Sequence, residues 1–336
     1  MTVTPTGTPT GTPTGTPTGT AAGTPTGTPT GTPAHAAPER PSDVAPPVPL
    51  LSGFTVIRNA VLMGYPVVEA IRSILPIVDE YVVAVGAGED ATRELIAAID
   101  SPKLRIVDTV WDRTRNRGGH MLAEKTNEAL ARCRGTWCFY LQADEVVHER
   151  DLPAIRNACE RFADDDGVEA LLFSYLHFYG SFGVVATGHN WYRNEVRIVR
   201  NRIGARSIGD AQSFMIGDHK PRVRRSGGVI HHYGWVKPPE RMAVKNARIG
   251  FWYAGTPEDA ATAPYRYRQL YALRRFTDSH PATMLALVQA QDWTFEPEVR
   301  PSDWNRKDWK NLLSRGAEVL TGRRWGERRK YRLLRD

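Results

Sequence analysis

The chain has 336 residues, 41% hydrophobic and 24% charged, and 44 Lys and Arg against 37 Asp and Glu give a formal net charge of +7. That length is ample for a substantial core, and the positive balance suits polyanionic ligands such as nucleotides or anionic lipid carriers. No uninterrupted apolar run approaches the roughly 20 residues a spanning helix requires, and Cys133, Cys138 and Cys159, odd in number and without paired metal spacing, argue against a disulfide framework.

Thr-Pro-Thr-Gly recurs in register from Thr4 to Pro33, broken only by Thr20-Ala21-Ala22-Gly23. With almost no large apolar side chain, this tract cannot offset the entropy of ordering. Residues 1–48 are therefore predicted to be a disordered tail: a spacer, a tether, a solubilising segment or an inert extension. The tract has neither the apolar h-region of a signal peptide nor the Arg-rich character of a transit peptide.

Strand and helix signals then alternate. Phe54-Thr55-Val56-Ile57 is a short β-rich run ending at Arg58-Asn59. Pro66 opens a helix with Val67, Ala70, Ile71, Ile74 and Leu75 at helical spacing. Tyr81 to Val85 reads as a second strand that ends in the loop Gly86 to Asp90, and Thr92 to Ile99 as a second helix. A third strand covers Leu104 to Val107, a third helix roughly Met121 to Cys133, and a fourth strand runs from Trp137 to Gln142. Such alternation over short connections predicts an α/β fold with a mainly parallel sheet flanked by helices, Rossmann-like, over residues 49–253. Ligands of open α/β sheets bind outside the carboxyl ends of the strands. The strand ends at Arg58-Asn59, Gly86 to Asp90 and Asp144-Glu145 should therefore share one edge and form a site. A carboxylate delivered there is placed to hold a divalent cation through hard oxygen ligands; the plainer reading is a solvated Asp-Glu pair opening a loop.

Further along, Val196 to Arg200 is strand-like, with Glu195 at its start and Asp210 in the small-residue loop after it. His231-His232 sit side by side in a strand, so at most one can face a given site. A C-terminal helical appendage is predicted over 254–336. Pro238-Pro239 start a helix running toward Tyr253, and Tyr265 to Phe276 and Thr283 to Ala290 give two more. The last stretch, from Trp304, combines Trp309, Leu312, Leu313, Val319 and Leu320 with Arg323-Arg324-Trp325 and Arg328-Arg329-Lys330-Tyr331-Arg332. A basic helix interleaved with Trp and Leu can lie on an anionic membrane surface, bind nucleic acid or form a charged outer face; nucleic acid is the least expected of the three.

Asn59 after the first strand, Glu89-Asp90-Ala91-Thr92 after the second and Leu141-Gln142-Ala143-Asp144-Glu145 after the fourth resemble family 2 glycosyltransferases of the GT-A fold. The resemblance covers roughly Leu51 to Tyr253. It is closest to bacterial members with a Tyr-Leu-Gln-Ala-Asp-Glu stretch and a later His-Tyr-Gly-Trp segment, here His232-Tyr233-Gly234-Trp235. It implies inverting transfer of a sugar from a nucleotide diphosphate donor to a saccharide, lipid-linked or protein acceptor, with Mn²⁺ or Mg²⁺ as cofactor. The family's Asp-x-Asp signature has Gln142 in its first position here, which leaves Asp144 as the metal ligand. Gly86 and Ala87 stand where the family places an Asp to hold the base or ribose.

The resemblance further implies His232 as a second metal ligand and Asp210 as general base, with Glu195 the second candidate; Asp210 as a turn residue and His232 as a structural histidine are the plainer readings. Arg58, Asn59, Asp90, Lys125, Gln142 and Asp144 are the expected donor-binding residues, and Arg117 is a further phosphate partner. Trp191 and Trp235 are expected either to stack on a sugar ring or to be buried in the core. The expected location is the cytoplasm, with free thiols, or the inner face of the membrane as a peripheral protein. Two other classes share parts of this pattern. A nucleotidyltransferase would carry a Gly-rich phosphate loop near its first strand, which Phe54 to Gly64 lacks. A non-catalytic membrane- or polyanion-binding protein would account for the missing acidic residues at Gln142 and Ala87.

Overall fold

Seven consecutive buried residues form the first strand, β1 (Leu51–Ile57), and the parallel half of the sheet grows around it. α1 (Ala60–Met63) and α2 (Val67–Ile74) lead to β2 (Glu80–Gly86), α3 (Thr92–Ala97) to β3 (Leu104–Thr109), and α4 (His120–Leu130) to β4 (Trp137–Tyr140). β5 (Glu145–Val147), α5 (Leu152–Arg161), β6 (Ala170–Tyr179), β7 (Ser181–Ala186), β8 (Asn194–Arg200), β9 (Ala205–Ile208) and β10 (Ser213–Ile216) follow. The chain closes with β11 (Arg222–Trp235), α6 (Pro239–Ala254), β12 (Leu273–Arg275), α7 (Leu285–Gln289), α8 (Arg306–Thr321) and β13 (Arg332–Leu333). The computed structural model describes residues 48–259, 263–322 and 329–335, all within one compact unit. The Thr-Pro-Thr-Gly tract and the stretch 323–328, with Arg323, Arg324, Trp325 and Arg328, lie outside the described residues.

β3, β2, β1 and β4 are mutually parallel, with Phe54 level with Val82 on one side and Tyr140 on the other. Strands buried on both faces read as near-continuous apolar runs, which is why LSGFTVI and EYVVAVG carry almost no alternation. Successive side chains still divide between two cores. Val83 and Phe139 join Ile71 and Ile74 of α2 and Ile155 of α5 on one face. Phe54, Val82 and Tyr140 join Ala129 and Leu130 of α4 on the other. Beyond β4 the sheet turns antiparallel through β8. β6 carries β8 and then β7 along one edge and the long β11 along the other, and β11 in turn pairs with β5 and β13. The result is the expected α/β class: a mixed sheet flanked by helices, its parallel half coming first.

One expected helix is absent. Tyr265 to Gln269 is irregular, the chain turns at Tyr271-Ala272, and Leu273–Arg275 forms the edge strand β12 against β7. The backbone of the irregular stretch is claimed by distant partners: Arg268 N donates to the Tyr179 hydroxyl and Gln269 N to Asp303. Tertiary bonding overrides the local propensity here. Thr283 to Ala290 is helical in two pieces, a 3₁₀ turn at Ala282–Met284 and then α7. α8 starts on a capping box in which Asn305 and Asp308 satisfy each other's backbone. Among the described residues no helix is long and apolar enough to cross a membrane.

Candidate active site

The carboxyl ends of β1 and β4 open into a cleft of about 200 Å³ that α6 covers from above. Arg58, Asn59, Gln142, Asp144, Asp210, Lys245 and Arg248 supply its polar groups, and Tyr65, Trp111, Tyr140, Trp252 and Tyr253 its aromatic walls. The roof is tied down by the backbone: Gly118 N and Gly119 N donate to the carbonyls of Tyr253 and Trp252.

The turn after β4 sends two adjacent carboxylates in opposite directions. Glu145, at the start of β5, is fully buried. It accepts from Nε and Nη2 of the Arg197 guanidinium (2.8 and 2.6 Å), from the Tyr175 hydroxyl (2.8 Å) and from the Gln142 backbone N–H (3.1 Å). Asp144 faces the cleft instead. Its Oδ2 lies 3.7 Å from His232 Nε2 and 3.7 Å from Lys245 Nζ. Burial pushes its carboxyl pKa up, but coupling to the His232 ring when that ring is protonated, and to Lys245 and Lys237, outweighs burial and holds it below the ordinary carboxylate range.

The proton on His232 is assigned by its neighbours. His177 Nε2 lies 2.8 Å from the Tyr192 carbonyl, which can only accept, so that nitrogen carries the hydrogen. Burial, with the His232 charge adding, drives the His177 pKa well down, so the ring is neutral and its Nδ1 accepts. Burial lowers the His232 pKa as well, against the pull of Asp144, so this ring too is neutral: it donates through Nδ1–H to His177 3.1 Å away, and its Nε2 lone pair faces Asp144. A carboxylate oxygen and an imidazole lone pair converge with no hydrogen between them, and such a pair asks for a cation. Gly234 keeps the space open, since a Cβ there would stand 2.5 Å from Asp144 Oδ2 and 2.8 Å from His232 Nε2. No group of three protein metal ligands occurs among the described residues, so a Mn²⁺ or Mg²⁺ ion here would need a ligand's oxygens to complete its shell. The backing of His232 by His177 and Tyr192 is the outer-shell arrangement that orients metal-binding imidazoles. His231 points to the opposite face and packs against Phe178 and Phe276; burial, with His148 and His280, pushes its pKa down to about 3.

Lys245 is the cleft residue that sequence reasoning missed. It stands between Met242 and Ile249 on the inward face of α6, where a buried Lys is the signal. Its ammonium donates to the Gly234 carbonyl at 2.5 Å; burial lowers its pKa while the Asp144 carboxylate opposes the shift. Trp111 was missed as well. It lies across Gly86, where a Cβ would come within 2.4 Å of its indole nitrogen, so a glycine at this position makes room for an aromatic wall.

The other expected residues divide. Asn59 is buried in the left-handed region at φ 58°. Its Oδ1 holds the Glu89 amide at 2.9 Å, and its Nδ2 is buried with no hydrogen-bond partner among the described residues. Arg58 donates to the Ala87 carbonyl at 2.8 Å and pairs with Glu258, which also meets Arg113 and Arg248. Gln142 reaches the Ala211 carbonyl, and Asp210 Oδ2 takes the Tyr253 hydroxyl at 3.4 Å. Four expected residues lie off the cleft. Asp90 braces its own loop by accepting Leu62 N and Thr92 N, and Lys125 pairs with Glu128 and Glu124 on α4. Arg117 is exposed. Glu195 is buried in β8 and bonded by Gln212 at 2.8 Å. Trp191 and Trp235 pack edge to face on each other, centroids 6.0 Å apart, and neither lines the cleft.

No family model matches the chain, and no curated protein matches it. Solved structures do show similarity. Staphylococcus aureus TarS 1–349 in complex with UDP-GlcNAc is 20% identical over 39% of this chain and 35% of that one, with a TM-score of 0.30. The same TarS portion in complex with UDP is 13% identical over 60% and 64% of the two chains, with a TM-score of 0.35. Glucosyl-3-phosphoglycerate synthase from Mycobacterium tuberculosis, in complex with Mn²⁺, UDP and glucosyl-3-phosphoglycerate, is 20% identical over 39% and 44%, with a TM-score of 0.27. The chain spans less than two thirds of the length of each.

Proposed function

We propose that the cleft binds a nucleotide diphosphate sugar and transfers the sugar to an acceptor hydroxyl with inversion, making the protein a metal-dependent glycosyltransferase of the GT-A type. The observation that carries this reading is the convergence of Asp144 Oδ2, which lines the aromatic-walled cleft, and the His232 Nε2 lone pair just behind it, at the carboxyl edge of the parallel strands. Asp144 and His232 would hold a Mn²⁺ or Mg²⁺ ion, whose chemistry there is to neutralise charge on a departing diphosphate. The Lys245 ammonium, beside the same carboxylate, adds a second positive charge, and Arg58 and Arg248 line the cleft further out. Trp111 and Trp252, packed edge to face on each other, form the wall that a nucleobase would meet. Asp210, oriented by the Tyr253 hydroxyl, takes the proton of the acceptor hydroxyl. The acceptor oxygen then bonds to the anomeric carbon while the bond from that carbon to the diphosphate breaks, its electron pair leaving with the diphosphate. Attack from the face opposite the leaving group inverts the centre.

The test is a panel of nucleotide sugars, screened by thermal shift with Mn²⁺ and with EDTA and followed by product analysis. Stabilisation that needs the metal, with slow release of nucleoside diphosphate, is the expected result. Release of sugar 1-phosphate in place of nucleoside diphosphate would mark nucleotidyl transfer, because the bond broken is then at the α-phosphorus, and stabilisation by none of the donors would overturn the assignment.

A further inference from the structure

The outward face of α8 is apolar and, among the described residues, largely uncovered, with Trp309 leaning on Trp304 at its first turn. Leu313, Val319 and Leu320 are 76%, 72% and 87% exposed, and Trp309 and Leu312 are exposed beside them. At 3.6 residues per turn these five side chains share one face with Gly316, about a third of the circumference. Single exposed apolar residues are ordinary, but a stripe along the whole helix is not.

The charges around the stripe carry one sign. The only two acidic residues of α8 are turned inward: Asp308 is buried against Arg268 and Asn190, and Glu318 pairs with His189, Arg193 and Arg315. Arg306, Lys307 and Lys310 are exposed, and Arg315, on the other flank of the stripe, is 43% exposed. The helix therefore presents Trp and Leu between cations and shows no acidic group outward. A second copy docked on this face would set like charges together, whereas an anionic bilayer complements both parts: headgroups for the cations, and acyl chains at the headgroup boundary for Trp309, Leu313 and Leu320.

We propose that α8 is an in-plane membrane anchor that docks the protein on an anionic lipid surface through the Trp309, Leu312, Leu313 and Leu320 stripe. The test uses the full chain in sedimentation with vesicles of neutral phosphatidylcholine and of phosphatidylcholine mixed with phosphatidylglycerol, at low and high salt. Wild type is expected to sediment with the anionic vesicles, to bind neutral ones about tenfold or more less well, and to be released by salt. Leu313→Glu with Leu320→Glu should abolish sedimentation while melting temperature stays unchanged, since both side chains point into solvent. Arg306→Glu with Lys310→Glu should remove the preference for anionic over neutral vesicles. Equal sedimentation of wild type and the leucine double variant, or no sedimentation of wild type, would overturn the proposal. So would a wild-type dimer that the leucine substitutions dissociate, because the face would then join two copies.

Discussion

Asp144 and Glu145 are neighbours in sequence, both are buried carboxylates, and the fold treats them oppositely. Glu145 has every bond it can use: a bidentate arginine, a tyrosine hydroxyl and a backbone amide, with Arg197 as deeply buried as itself. Asp144 has partners held at 3.7 Å, a distance of attraction rather than of bonding. The difference arises where the turn meets the strand: Asp144 is the last residue of the turn and faces the cleft, whereas Glu145 opens β5 and turns into the core. It separates a carboxylate that holds the structure together from one left with capacity for a ligand. Unsatisfied capacity in a cleft marks a functional carboxylate better than burial or charge does.

Breaking the closed side should give the largest effect. Arg197→Met strands the Glu145 carboxylate without a counter-ion, and loss of one partner from a buried pair costs about 3–5 kcal/mol. Denaturant unfolding should show that loss, and a loss under 1 kcal/mol would mean that Glu145 is simply protonated. Breaking the open side should spare stability and cost chemistry. Asp144→Asn is expected to cut turnover about 10²–10³-fold, the scale for removing one element of charge stabilisation, and to erase any difference in donor affinity between Mn²⁺ and EDTA. Calorimetry on wild type that shows equal affinity with Mn²⁺ and with EDTA would count against a metal-bridged diphosphate.

The same contrast explains what could be read from the sequence. The parallel half was legible because buried strands are continuous apolar runs and α2 repeats with helical period. The site edge was legible because strand ends in such sheets converge. Lys245 and Trp252 were not, because α6 folds back over strand ends formed about 100 residues earlier, and no local pattern records that return. Asp90 and Lys125 carry suitable chemistry, yet their charges are spent on neighbours two to four residues away or just across the loop. The irregular stretch around Gln269 was hidden for a similar reason, since Asp303 and Tyr179 decide its backbone.

A smaller effect should come from His177, which touches neither the cleft nor any ligand but fixes the proton on His232. His177→Phe removes the acceptor for His232 Nδ1–H and frees that ring to turn its hydrogen toward Asp144. Mn²⁺ affinity should fall about 10–100-fold, the range for outer-shell partners. His177→Gln, whose side-chain oxygen can accept the same bond, should recover part of it. Equal Mn²⁺ affinity in all three proteins, read by calorimetry, would sink the tautomer assignment.

Glu195 stands between the two extremes and gives the finest test. One of its oxygens takes Gln212 Nε2 at 2.8 Å, while Arg197, which would help it, is already committed to Glu145. Burial raises the Glu195 pKa to about 7, against the opposing charges of Arg197 and Lys330. A carboxyl whose folded-state pKa is raised contributes stability that is full below its unfolded value of about 4.3 and is lost as pH climbs toward 7. Glu195→Gln keeps an acceptor for Gln212 and cannot ionise, so it escapes that loss. The variant and wild type should unfold alike near pH 4, and the variant should lead by about 3–4 kcal/mol above pH 7. Its turnover should remain close to wild type, because Glu195 lies outside the cleft that Asp210 lines. A stable but inactive Glu195→Gln, beside a working Asp210→Asn, would transfer the role of base from the cleft carboxylate to the buried one.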